Sequence, residues 1–241
     1  MNSNAKALQP LYKKLNENIK NSEIYQLANG DQFVEILGAE AILDQTELYV
    51  DFNSRKTPRD YISKELQWYL SKSSNIELVS DVKIWSHIAD INREVNSNYG
   101  KLVFSRENFN QFNNVLNKLL EDEYTRQAII IYTRPSIHYE YNSFGASDFI
   151  CTNFQHFFIR NNKLNCITSM RSQDCIYGTF NDIPWFHFVI QSMHTALQQK
   201  YSTLEPGYHK LIVNSFHAYK RHFKLVSKIA EEEEWSCKKN E

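Results

Sequence analysis

Glycine is scarce in this chain of 241 residues, with only six, and neither a GxGxxG nor a GxxxxGKS or GxxxxGKT loop can be written with them. The backbone cradle that dinucleotide and P-loop folds wrap around phosphate is therefore excluded. Cysteine is as sparse. Cys151, Cys166, Cys175 and Cys237 show no CxxC spacing, and the eight histidines make neither an HExxH nor a Cys/His cluster. Reduced thiols are expected, and no metal site. Charge of one sign is missing too: 27 basic against 28 acidic residues leave a net charge of -1. Nothing in that balance favours a nucleic-acid polymer or an anionic membrane as partner. No apolar run approaches the roughly 20 residues of a membrane span, and the start, Met1 to Lys6, lacks the apolar centre of a signal peptide. A soluble, cytoplasmic protein is expected.

Aromatics are abundant, with 15 Phe and 14 Tyr, and hydrophobic residues reach 42%. A sizeable core and stacking surfaces can be built from them. No compositional shift marks a linker, so residues 1–241 are read as one domain. Its charged end, 231–241, is expected to be a flexible tail.

Leu8, Leu11, Leu15 and Ile19 recur at helical spacing, with regular helix expected from about Pro10. Residues 32–43 read as a strand, and 58–71 as a helix with Ile62, Leu66, Tyr69 and Leu70 on one face. Another helix covers 112–120, followed by a buried strand at 129–132. Residues 157–160 and 164–170 flank Asn161-Asn162-Lys163 and read as a hairpin. A long helix is expected from Pro184, with the proline in its first turn, and a strand over 211–219. These elements support an α/β (α+β) domain on one substantial sheet.

The chemistry starts at Cys151, in Ser147-Asp148-Phe149-Ile150-Cys151-Thr152-Asn153. A lone cysteine in an apolar stretch is more often a buried structural thiol than a nucleophile. Its surroundings change that weighting: Arg171-Ser172-Gln173-Asp174 follows 20 positions on, beyond the hairpin, and Asp182 another 11 after Arg171. The segment 126–182 resembles the active-site half of thymidylate synthases. Glu65-Leu66-Gln67-Trp68-Tyr69, Ile84-Trp85, Asn96-Ser97-Asn98-Tyr99-Gly100 and His217-Ala218-Tyr219 extend the likeness over most of the chain. Asn96 to Gly100, Tyr132 to Ser136, Ser147-Asp148-Phe149, Cys151-Thr152-Asn153 and Asn181-Asp182 resemble more closely still the bacteriophage deoxycytidylate hydroxymethylase branch of that family.

The resemblance implies a single thymidylate-synthase-like domain with a large mixed sheet flanked by helices, and a catalytic group of Cys151, Glu65, Tyr99 and Asp182. Carbon 5 of a pyrimidine becomes nucleophilic once a thiolate adds to carbon 6, and Cys151 would be that thiolate. Arg171 would favour its charged form and, with Ser172, hold the substrate phosphate. Glu65 would order water and relay protons, and Tyr99 would assist proton removal at carbon 5. Trp85, Asp174 and Glu65 would face a 5,10-methylenetetrahydrofolate co-substrate, and His217 with Tyr219 the sugar hydroxyl. Family dimers lend an arginine pair to the partner's phosphate site, but here Thr125-Arg126-Gln127 keeps only Arg126. Arg134 reads as a solvated charge. For several of these residues a structural role stands beside the functional one: a helix charge for Glu65, a core aromatic for Trp85, a cap for Asp174.

The base-reading position departs from the thymidylate synthases, which carry asparagine there. An asparagine amide matches uracil's N–H and carbonyl oxygen, whereas a carboxylate can accept from cytosine's exocyclic amine and pair with its ring nitrogen once that is protonated. Asp182 fits cytosine better. A one-residue gap would put Asn181 at that position instead. The polar end, Trp235 to Glu241, would also seal the site less well against water. The resemblance thus implies a homodimeric deoxycytidylate (dCMP) 5-hydroxymethylase that uses methylenetetrahydrofolate and water, in host cytoplasm if phage-encoded. Other nucleotide-synthesis enzymes are conceivable partners. A dUMP hydroxymethylase, a thymidylate synthase and an inactive scaffold stand as alternatives.

Overall fold

The computed structural model describes residues 1–232. The chain runs α1 (Ser3–Lys20), β1 (Tyr25–Gln26), β2 (Gln32–Asp44), α2 (Arg59–Ser71), α3 (Lys83–Ile88), α4 (Tyr99–Phe104), α5 (Gln111–Glu121) and β3 (Ile129–Ile131). It continues α6 (Ile137–Glu140), β4 (Thr152–Arg160), β5 (Lys163–Met170), β6 (Gln173–Asp174), α7 (Gly178–Leu197), β7 (Glu205–Tyr219) and α8 (Phe223–Ala230). The strands form a mixed sheet in the order β1-β2-β7-β5-β4-β3, with β6 also beside β7. Neighbours are antiparallel except β5 with β7 and β6 with β7, which are parallel.

The β4–β5 hairpin places the first cluster of functional residues. Asn161 and Asn162 take the left-handed conformation, with φ of 54° and 58°, which suits the right-handed twist of a two-residue hairpin. Thr152 then pairs with Met170, and the Arg171 N–H donates to the Cys151 carbonyl at 2.8 Å. The 20-residue interval collapses into direct adjacency.

One face of the sheet is buried under helices. Leu8, Tyr12 and Leu15 of α1 join Phe186, Ile190 and Met193 of α7 in one cluster with Val34, Phe157, Leu164, Val213 and Phe216 from the strands. The other face is uncovered, with Leu37 exposed to 73%, Ile42 to 55% and Tyr208 to 43%.

Three expectations change. Helix α1 begins at Ser3, not near Pro10, because the Asn2 side chain accepts the Ala5 N–H at 3.1 Å and Ala5 and Leu8 are fully buried. Helix α7 begins at Gly178, so Pro184 lies inside it and Asp182 is on its early turns. Strand β3 is an edge, with Ile130 buried and Ile131 exposed; the Gln111 side chain accepts the Ile131 N–H at 2.8 Å and donates to its carbonyl at 2.7 Å. That caps the open edge. Of the anticipated tail only the start is described, where the Glu232 carboxylate accepts the N–H groups of Asn53 at 2.8 Å and Ser54 at 2.6 Å. Its remainder, with Cys237 and the polar end, lies outside the described residues. Among the described residues no helix is long and apolar enough to cross a membrane.

Candidate active site

Cys151 is half-buried, while Cys166 and Cys175 are buried; all three are free. Arg171 wraps around Cys151. Its Nε donates to the Ile150 carbonyl at 3.0 Å, one Nη lies 3.3 Å from Sγ, and its guanidinium sits 4.8 Å above the Phe149 ring. Burial outweighs the arginine and pushes the thiol up to about 11, with Asp182 and Asp148 adding repulsion. Cys151 rests protonated, with a cation in place for the thiolate when it forms.

The segments quoted for the family likeness meet in space. Ser97 donates from N and from Oγ to the Asp148 carboxylate at 2.8 Å, which ties the segment leading to Cys151 to the loop leading to Tyr99. Asn98 caps α4 by accepting the Lys101 N–H at 2.7 Å and donates to the Trp68 carbonyl at 3.1 Å. Gly100 permits this docking: a Cβ there would lie 1.8 Å from the Tyr69 carbonyl oxygen. Tyr99 therefore stacks on Tyr69, 5.6 Å between ring centres, and its hydroxyl accepts from Thr152 at 2.9 Å. Burial, then the charge of Asp182, holds the Tyr99 phenol protonated.

Glu65 and Asp182 face this cluster from α2 and α7. Glu65 is buried, accepts from the Tyr61 hydroxyl at 2.5 Å, and is pushed up to about 8 by burial, with repulsion from Asp182 opposing its ionisation further. Trp85 Nε1 donates to the same Tyr61 hydroxyl at 2.9 Å. Trp85 itself is only 8% exposed and packs edge-on against Trp68, so most of its surface belongs to the core. Asp182 is half-buried, accepts from Gln173 Nε2 at 3.2 Å, and is raised to about 7, chiefly by burial and then by the charge of Asp174. Gly178 allows that approach, since a Cβ there would stand 2.9 Å from Gln173 Cγ and 3.1 Å from Asp182 Oδ2. Gln173 Oε1 is left buried without a protein partner. Asn181, the alternative reading residue, instead lines a separate crevice between α2 and α7.

Ser172 Oγ lies 3.4 Å from His217 Nδ1, and Asp174 pairs with His217 across β6 and β7. The phenol of Tyr219 is raised by partial burial, with smaller contributions from Asp174 and Cys151, so the strand end belongs to the same neighbourhood. Asp174 Oδ1 accepts the N–H groups of Ile176 at 2.7 Å and Tyr177 at 2.9 Å, which makes it the cap ahead of α7. Arg126 is not in this cluster: it is exposed at the approach to the edge strand β3, with His156 Nε2 3.1 Å from its carbonyl. Arg134 pairs with Glu140. No group of three or more His, Cys, Asp or Glu among the described residues could hold a metal ion.

Tyr61, Gln173 and Thr152 were missed in the sequence. Only Tyr61 left a usable signal, standing one helical turn before Glu65. The assembled site offers a thiol beside a guanidinium, two protonatable carboxyls and a protonated phenol. These can add a nucleophile to a planar heterocycle and move protons on and off it.

Residues 12–238 match the family model described as Thymidylate synthase. The chain is 37% identical over 201 residues to the deoxycytidylate 5-hydroxymethyltransferase of Enterobacteria phage T4, covering 82% of this chain and 80% of that protein. The phage T6 enzyme of the same name is 36% identical over the same shares. The thymidylate synthase of Francisella tularensis subsp. holarctica is 24% identical over 204 residues, covering 80% and 73%.

Proposed function

The chain belongs to the thymidylate synthase family, and from that premise we propose that it is a folate-dependent one-carbon transferase whose substrate is dCMP and whose product is 5-hydroxymethyl-dCMP. The observation that carries the choice of base is Asp182. Its carboxyl is raised to about 7 in a cleft that also holds Cys151, Tyr99 and Glu65. A protonated carboxyl donates to the bare ring nitrogen of cytosine while its other oxygen accepts from the exocyclic amine. The ionised form, still well populated at neutral pH with a value of about 7, makes the distinction: both of its oxygens accept from cytosine once the ring nitrogen is protonated, whereas uracil's carbonyl oxygen would oppose one of them.

In this reading Cys151 forms a bond to carbon 6, with Arg171 stabilising the thiolate and Tyr99 helping to remove the proton from carbon 5. Ser172, Arg171, His217 and Tyr219 hold the phosphate and sugar. The residues present also fit a reduced folate. Both backbone bonds to Asp174 fall on Oδ1, which leaves Oδ2 for the paired N–H donors of a pterin; Glu65 and Trp85, which share the Tyr61 hydroxyl as hydrogen-bond partner, are the other residues read as facing the folate. Methylenetetrahydrofolate, when bound, supplies a one-carbon unit at the oxidation level of formaldehyde. Glu65 then accepts a proton from the water that completes the hydroxymethyl group.

The uncovered sheet face supports a homodimer, because an exposed apolar surface carrying Leu37, Ile42 and Tyr208 is what a second copy would bury. In that dimer Arg126, exposed at the approach to the edge strand, would be the residue that reaches into the partner's phosphate site. Such an enzyme would work on the nucleotide and folate pools of the cytoplasm.

Incubation with methylenetetrahydrofolate and either dCMP or dUMP, followed by the mass of the product, tests the reading. Hydroxymethyl-dCMP is expected, and thymidylate with release of dihydrofolate would overturn it. Cys151→Ser should lower turnover by roughly a thousandfold or more; retained activity would remove the nucleophile from its role.

A further inference from the structure

A crevice of about 140 Å3 runs between α2 and α7, walled by Ile62, Leu66 and Phe188 and ending at Glu65, Tyr69 and Asn181. Cys151, Arg171 and Asp182 are not among its walls, whereas Glu65, whose ionisation the charge of Asp182 opposes, is. Asn181 Oδ1 is buried there without a protein partner. Buried polar atoms are rarely left unpaired, and although the walls are largely apolar, Glu65, Asn181 and Tyr69 supply polar partners in a space large enough for a few waters at roughly 30 Å3 each. The outer end is open, with Ser63 exposed at the rim.

We propose that this crevice is the route by which water reaches Glu65 for the hydroxymethylation, held at its inner end by Asn181 and the Tyr69 hydroxyl. The inference rests on the hydroxymethylase reading. With nucleotide and folate in place the front of the cleft is filled, yet the reaction consumes one water. Its oxygen forms the C–O bond to the exocyclic methylene carbon. Its proton passes to the Glu65 carboxylate, the methylene π electrons move into the ring, and their return expels Cys151 as thiolate. A supply on the far side of Glu65 delivers water to the base without opening the cleft.

The test plugs the rim. Ser63→Trp and Leu66→Trp are compared with the wild-type protein and with Ser63→Ala, using two readouts. The first is loss of tritium from carbon 5 of dCMP without folate, when the front of the cleft is open, which reports Cys151 addition. The second is kcat for hydroxymethyl-dCMP. The expected result is tritium exchange within twofold of wild type, an unchanged KM for dCMP, and kcat reduced at least tenfold in the tryptophan variants alone. Wild-type kcat in the folded tryptophan variants would overturn the route, as would equal losses in both readouts. Should either tryptophan variant fail to fold, Ser63→Leu and Leu66→Phe carry the same comparison. A wild-type protein that makes thymidylate instead would fail the functional reading first, and the route would fall with it.

Discussion

Two pairs of titratable side chains, each with one member on α7, differ in what they leave unsatisfied. His187 and His209 are both fully buried. His187 Nδ1 lies 2.6 Å from the Glu47 carbonyl, its Nε2 2.8 Å from His209 Nδ1, and His209 Nε2 2.8 Å from Thr168 Oγ1. One assignment of protons satisfies every atom: each imidazole neutral, protonated on Nδ1, and Thr168 donating at the end. Burial accordingly lowers both rings, His187 to about 4. Glu65 and Asp182 are buried or half-buried too, but neither has a cation in contact, and each is raised. The histidines form a closed chain with nothing left to bind. The carboxyls keep capacity for a ligand, and that incompleteness marks the functional pair.

The comparison is most exposed at Glu65. Glu65→Gln retains the shape and an acceptor for Tyr61 but loses the proton relay. Product formation should fall by roughly a hundred- to ten-thousandfold. The same change removes a buried charge beside Asp182, so urea denaturation at pH 8 to 9 should show a protein at least as stable as wild type. Lost stability with retained turnover would make Glu65 a structural group and erase the contrast. Asp182→Asn is next in size. Ratios of kcat/KM should move towards dUMP by roughly ten- to a hundredfold, the worth of one buried mismatched partner at about 1–3 kcal/mol. An unchanged ratio would assign base reading elsewhere.

Much of the fold was legible because it is local. The spacing from Cys151 to Arg171 is a hairpin with a two-asparagine turn, and Asn161 and Asn162 announce it. Asp182 was legible as a departure from a pattern, although its setting on α7 was not, since Pro184 suggested a later start to the helix. The contact of Gln173 with Asp182 depends on Gly178, whose missing side chain has no periodic signal. Glu65 and Asp182 are joined by tertiary packing across more than a hundred residues. The histidine pair was invisible for a further reason: the interval from His187 to His209 matches no ligand spacing, and the strand and helix that align them are parts of the whole sheet.

The histidine pair supplies the smaller effects. His209→Leu strands His187 Nε2 and Thr168 Oγ1, which should cost about 2 kcal/mol in urea denaturation while kcat and KM for dCMP stay within twofold. A catalytic loss in a folded variant would mean that the pair shapes the cleft as well as the core.

The pH dependence of stability separates the two pairs. His187 has a folded value near 4 against an unfolded 6.5, so the unfolded chain binds more protons between those limits. Its contribution is complete above pH 6.5 and is lost as the pH falls towards 4. Glu65 has a folded value near 8 against 4.5 unfolded, so the native protein binds more protons in that window. Its contribution is complete below pH 4.5 and is lost as the pH rises through 8. The two oppose one another between pH 4.5 and 6.5, and only the carboxyl acts from 6.5 to 8. Urea midpoints for Glu65→Gln, taken relative to wild type, should therefore rise steadily up to pH 8, whereas those for His209→Leu should show their pH dependence below 6.5. A Glu65→Gln difference that stays flat from pH 6.5 to 8 would mean that this carboxyl ionises as freely in the folded protein as in the unfolded chain, and the distinction between a closed pair and an open one would fail at its most measurable point.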